Sequence, residues 1–252
     1  MHARPCRRSR ELAFAAPLVL GLSAWNNVVV PRLPGRPGAY EVANTAAAGA
    51  LVVAARARGL SWAELGLARS GLPAGLRWGG ACFALVAGGY VTALAVPGLR
   101  PLLRDARIAG LDGGQIGYQV LVRIPLGTVL WEEVAFRAVL LAALRRLLPG
   151  RGATGITAAV FGIWHVRPTL AALAANGVAG GPVLRSLAVA GAGLSMAGAG
   201  VLFAELRLRT SSLLTPVLLH LATNSLGVLA GAAAHRLDRA GRSPGDGATS
   251  AP

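Results

Sequence analysis

Residues 126–142, LGTVLWEEVAFRAVLLA, form an apolar run that carries two adjacent carboxylates, Glu132 and Glu133, and an arginine, Arg137. Read as a helix, the run belongs in a lipid bilayer, and the three charges inside it need a reason. An ionisable side chain at mid-membrane costs about 3 kcal/mol or more on insertion scales, so such a group marks a functional site by default. Spacing offsets part of that cost. Glu133 and Arg137 are four residues apart with the acid first, the favoured order for a pair along one helical face. Glu132 points about 100° further round the helix and is left without that partner.

The surrounding composition decides which solvent is involved. The 252 residues have a mean hydropathy of +0.56, and only 14% are charged, too few for an ordinary soluble domain. The net charge of +15 comes from 25 basic residues, all arginine. They lie in short clusters between apolar segments, the pattern of loop arginines beside lipid headgroups, and not on one basic element that would suit nucleic acid. Cys6 and Cys82 are too far apart in sequence to suggest a disulfide framework or a metal knuckle.

Outward from the charged run, apolar segments fall at 12–30, 41–56, 77–96, 115–148, 153–165 with an extension to about 175, 183–203 and 212–233. The expected fold is all-α: a polytopic membrane bundle of about seven transmembrane helices (six to eight), with the catalytic core in the C-terminal helices. The expected division is N-terminal transmembrane helices and loops over 1–114, a catalytic bundle over 115–235, and a disordered polar tail over 236–252. The start of the chain, basic residues before an apolar run, resembles a signal peptide, but "LSAW" is a poor cleavage site and favours a retained first helix. Arginines 4, 7, 8 and 10 then hold the N-terminus inside, at the cytoplasmic (plasma) membrane.

Two of the four histidines, His165 and His220, lie in or at the end of apolar segments. Asn224 follows His220 by four residues and shares its helical face. Three helices thus present Glu132, His165, and His220 with Asn224. A carboxylate and an imidazole can hold and deprotonate a water, while a second imidazole and an amide can donate to an oxyanion.

At these residues the chain resembles a known family. "EEVAFR", "FGIWH" and "HLATN" are similar, in order and separation, to the EExxxR, FxxxH and HxxxN motifs of the CAAX-protease and bacteriocin-processing (CPBP, or Abi) intramembrane endopeptidases. "LSWAELGL" resembles an upstream segment of that family, and the motif region covers residues 126–231. The resemblance implies that Glu132 and His165 activate the attacking water, that His220 and Asn224 stabilise the oxyanion, and that Glu133 and Arg137 support the site. It implies a peptide or membrane-protein substrate, lipidated in the CAAX case, with membrane lipids as surroundings and no nucleic acid. Phe161 reads as packing.

A divalent metal such as zinc, held by Glu132, His165 and His220, is the alternative chemistry. The chain has no HExxH pairing, and a metal-free glutamate mechanism uses all four groups, so no cofactor is favoured. A non-catalytic relative, a membrane scaffold or bacteriocin-immunity protein, is the alternative function. Other features have plainer readings. "GAGLSMAGAG" (191–200) is a helix face for close packing, Arg123 is structural, Glu205 forms an ion pair with Arg207 or Arg209, and 97–110 is an interfacial helix.

Overall fold

The computed structural model describes residues 3–178 and 180–240. Every regular element among them is helical. Helix α1 (Ala3–Ala24) runs on into a π-helical turn at Trp25–Val29. Helices α2 (Ala39–Ala57) and α3 (Leu72–Ala95) follow. Helix α4 is continuous over 113–145, with two π-helical stretches, Gln119–Leu130 and Glu133–Leu140, separated by Trp131 and Glu132. Helices α5 (Gly150–Trp164) and α6 (Val166–Ala175) are two arms of one span broken at His165. Helix α7 is Pro182–Thr210, and α8 covers 214–240, with a π-helical turn at Ala222–Leu226.

Five spans are long and apolar enough to cross a membrane: Arg8–Arg32, Arg69–Ala95, Gly150–Ala175, Pro182–Thr210 and Leu214–Arg239. The other two expected segments, in α2 and α4, are helical but carry buried polar groups: Glu41 and Asn44 in α2, Glu132, Glu133 and Arg137 in α4. Large aliphatic side chains point outward, Leu85 at 79% exposure and Leu194 at 75%. An exposed apolar surface of that extent suits lipid and would promote association in water. The fold is a helical membrane bundle.

The centre of the bundle is the second half of α4. Residues 131–144 are buried without a break, so this stretch is enclosed on every side, its three charged residues included. Beside it, the small-residue face of α7 packs closely on α5. A Cβ on Gly162 of α5 would lie 2.6 Å from the Gly193 carbonyl oxygen, and one on Gly200 would lie 3.1 Å from Cα of Ala158. On the other side, α8 lies against α3, where a Cβ on Gly79 would meet Leu218 at 2.8 Å.

Two expectations need correction. Residues 97–110 do not form one interfacial helix but a 3-10 stretch, Pro97–Leu103, and a single turn, Ala106–Ala109. Pro97 and Pro101 cannot donate to an α-helical ladder, and Arg104 and Asp105 are extended, with Asp105 capping the turn through the Arg107 amide. The polar tail was placed from Arg236, yet α8 continues to Ala240; residues 241–252 lie outside the described residues.

Candidate active site

Glu132 and Glu133 stand at the junction of the two π-helical stretches of α4. Such stretches shift the register of side chains and are frequent at functional sites. The consequence is that both carboxylates, only 4% and 0% exposed, reach the same histidine of α8. His220 Nδ1 is 2.8 Å from Glu133 Oε1, and its Nε2 is 3.9 Å from Glu132 Oε2. Arg137 Nη1 donates to the same Glu133 Oε1 at 3.3 Å, so the i,i+4 pair expected from spacing is present with both partners fully buried. Glu133 therefore orients a ring of the site as well as neutralising Arg137.

The Arg137 guanidinium is otherwise clasped by aromatic faces. Its Cζ lies 4.0 Å from the Phe161 ring centre and 4.8 Å from that of Phe203, contacts that favour a cation where water cannot reach. Phe161 also packs edge-on against His165, with ring centres 4.6 Å apart. The packing role expected for Phe161 thus serves two polar groups at once.

Glu132 is not without a partner. Trp164 Nε1 donates to its Oε1 at 2.9 Å, a contact between helices that spacing along α4 could not reveal. Its Oε2 is buried with no hydrogen-bond partner and faces His220 Nε2. A buried carboxylate oxygen left bare is costly unless something fills the gap, and a 3.9 Å separation is too long for a direct bond but suits a bridging group such as water.

His165 follows Trp164 at the break between α5 and α6, with φ −89° and ψ 1°. Its Nδ1 lies 2.8 Å from the Phe161 carbonyl oxygen, which can only accept, so Nδ1 carries the proton and Nε2 is left as the acceptor. The break is written in the sequence. Pro168 has no N–H for the Trp164 carbonyl and its ring crowds that oxygen. Asn26 Nδ2 donates to the freed Trp164 carbonyl at 3.3 Å. Asn27 inserts its whole amide into the gap: Nδ2 donates to the Ile163 carbonyl at 2.9 Å while Oδ1 accepts the Arg167 N–H at 3.0 Å. An inserted side chain of this kind is a recognised cause of a helix kink.

These asparagines, with Trp25 and Asn44, are functional-site neighbours that the sequence reading passed over. Trp25 Nε1 donates to Asn44 Oδ1 at 2.9 Å, Asn44 Nδ2 donates to the Gly127 carbonyl at 2.7 Å, and Trp25, Trp131 and Trp164 stack in a tilted series. The available signal was "WNN" at 25–27, two amides ending an apolar span. Asn27→Ala is expected to leave the backbone groups of 163 and 167 unpaired, to cost about 1–2 kcal/mol of stability, and to lower kcat about tenfold through displacement of His165. KM should be nearly unchanged. Melting in detergent and steady-state kinetics check the two parts separately.

Asn224 lies one turn beyond His220 in the π-helical part of α8, half-buried and without a hydrogen bond among the described residues. The structure thus brings Glu132, Glu133, Arg137, Trp164 and His220 into direct contact. It places His165 and Asn224 on the adjoining turns without a direct bond to Glu132. No three His, Cys, Asp or Glu side chains among the described residues are grouped so as to hold a metal ion.

Further from the centre, Arg123 pairs with the buried Glu41 at 3.2 Å and lies over the Tyr40 ring, the structural role expected for it. Glu205 pairs with Arg209 at 3.5 Å; Arg207 turns the other way.

The site is thus a buried carboxylate with a bare oxygen beside an imidazole, inside a bundle of membrane helices. Residues 115–226 match the family described as "Rce1-like: Type II CAAX prenyl endopeptidase Rce1-like", in agreement with the motif resemblance. The matched region contains Glu132, Glu133, Arg137, His165, His220 and Asn224 and leaves Trp25, Asn26, Asn27 and Asn44 outside it. No curated protein and no solved structure matches the chain. With its apolar spans, the chain is an integral membrane protein in which residues 115–226 are similar to that family.

Proposed function

We propose that this protein is an intramembrane endopeptidase that hydrolyses peptide bonds of membrane-associated substrates, CAAX-type or other, with a water activated by Glu132 and His165. The observation that carries the reading is the unpartnered Glu132 Oε2 facing His220 Nε2 at 3.9 Å. In this mechanism Glu132 Oε2, aided by the free Nε2 of His165, takes a proton from the water as its oxygen attacks the peptide carbonyl. The tetrahedral oxyanion is met by His220 Nε2 and Asn224 Nδ2. The proton held by the carboxyl then passes to the leaving amine, and the C–N bond breaks.

The contact with Glu133 adds a condition. An ionised carboxylate only accepts, so the His220 Nδ1 proton is committed to it, and Nε2 can donate to an oxyanion only when both ring nitrogens carry hydrogen. That state also balances the buried charge, two carboxylates against Arg137 and an imidazolium. The bundle is proposed to divide at residues 114 and 235, with the N-terminus on the cytoplasmic side of the plasma membrane, where the arginines of 56–77 and 145–151 join it.

The test is cleavage of prenylated and unmodified C-terminal peptides by the purified full chain in lipid, beside Glu132→Gln. Equal cleavage by both proteins, or none by either, would favour a scaffold. A second arm addresses metal. Dialysis against a chelator is expected to leave the rate unchanged, while Asn224→Ala slows it about a hundredfold. Loss of activity restored by stoichiometric zinc, with an unaffected Asn224→Ala variant, would replace this mechanism with a metallopeptidase.

A further inference from the structure

At the end of α4 remote from Arg123, a cavity of about 370 Å³ lies between that helix, the 61–66 loop and the end of α7. Three arginines, Arg145, Arg146 and Arg207, line it together with Glu64. Arg146 is fully engaged: its Nε donates to Glu64 at 2.8 Å, its Nη1 to Glu11 at 3.3 Å and its Nη2 to the Gly59 carbonyl at 2.7 Å. That bond holds the Glu64 carboxyl down at about 2, so Glu64 stays ionised and committed to Arg146. Both acids thus serve one arginine, and the three-arginine group remains one anion short.

The other two arginines carry the surplus. Arg207 is only 5% exposed and has no carboxylate partner among the described residues. Its Nη2 donates to the carbonyls of Ala63 and Glu64, which fixes the plane of the guanidinium, while Nε and Nη1 have no hydrogen bond among the described residues. The 61–66 loop is shaped to this side chain. Gly66 has φ +72°, a conformation that favours glycine, and a Cβ there would overlap the Arg207 guanidinium. Arg145, exposed and without an ion pair among the described residues, is near enough for its like charge to act on Arg207. A buried, oriented guanidinium beside a second cation is unfavourable alone and favourable around an anion with several acceptor oxygens.

We propose that this cavity binds a phosphate group between Arg207 and Arg145. The group is supplied either by the headgroup of a membrane phospholipid or by free phosphate, and the chemistry of recognition is the same. The loop that wraps Arg207 also accepts the Leu213 N–H at the Gly66 carbonyl, 2.8 Å, immediately before α8 begins. Binding therefore ties together the ends of α4, which bears Glu132 and Glu133, and α8, which bears His220. An occupied cavity stabilises the framework of the active site without touching it.

The experiment measures melting of the full chain in an uncharged detergent at constant ionic strength, with inorganic phosphate in one arm and phosphatidylglycerol mixed micelles in the other. Chloride and phosphatidylcholine are the controls. The wild type is expected to gain about 4 °C or more in at least one arm. Arg145→Gln, a change at an exposed side chain, should weaken the apparent affinity roughly tenfold, and Arg207→Gln should abolish the shift if that variant folds. A gain with inorganic phosphate assigns the site to the free ion, and a gain only with phosphatidylglycerol assigns it to the lipid. No gain in either arm, a gain matched by the controls, or a full gain retained by Arg145→Gln would overturn the proposal. Arg69→Gln, at a residue that does not line the cavity, should behave as wild type.

Discussion

Glu132→Gln is expected to lower turnover by about a hundredfold to ten-thousandfold while the protein stays folded. The substitution is close to isosteric and keeps a carbonyl oxygen for Trp164 Nε1, so the contact between α4 and α5 survives. It removes the basic oxygen that faces His220, so the loss falls on proton transfer and not on packing. His165→Ala should fall within the same range. Among the described residues its only ring hydrogen bond is to the carbonyl of Phe161, four residues earlier, and removing it leaves the backbone of α5 intact. Rates are to be measured beside melting curves for each variant. Activity within about threefold of wild type for a folded variant would remove that residue from water activation.

The largest effect on stability is expected from Arg137→Leu, about 3–5 kcal/mol, because it strands the Glu133 carboxylate in an interior without water. Arg137 and Glu133 are both fully buried, and among the described residues Glu133 retains only His220 as a partner when the guanidinium is gone. Glu133→Gln strands the opposite charge, though the aromatic faces of Phe161 and Phe203 remain around it and should reduce the cost. The double variant should recover part of either loss, since two neutral side chains of similar volume need no compensating charge. Melting temperatures of the four proteins in one detergent give the coupling. A double variant no better than the worse single one would deny the direct pair its role.

Hydropathy made the fold class legible because a bilayer leaves the backbone few options. The Glu133–Arg137 pair was legible because it is local: four residues apart, one helical face. The partners of Glu132 were not legible, since Trp164 and His220 reach it from other helices. The π-helical stretches also alter the angular arithmetic of an ordinary helix, which a count of residues cannot foresee. The contacts of Asn26 and Asn27 with the 163–167 break span about a hundred and forty residues of sequence and leave no periodic trace. Arg207 was grouped with Arg209 as a partner of Glu205 because the three lie within one turn. The loop that captures it, ordered by a glycine with positive φ, is visible only in three dimensions.

The wedge formed by Asn27 bears on how portable this active site is. Every group assigned to the chemistry lies between residues 115 and 226, the stretch that carries the family likeness. The amide that sets the bend beside His165 comes from the first span of the chain, and the Trp25–Asn44 link anchors that span to a second. Grafting the likeness region alone onto a foreign anchor would transfer all the reactive groups and leave one of them on an unsupported hinge. A chimera that keeps residues 25–44 as well carries the wedge and its anchor with it. In this chain the first two spans therefore answer to more than hydropathy: a few amides in them hold the hinge, while the rest only has to be apolar.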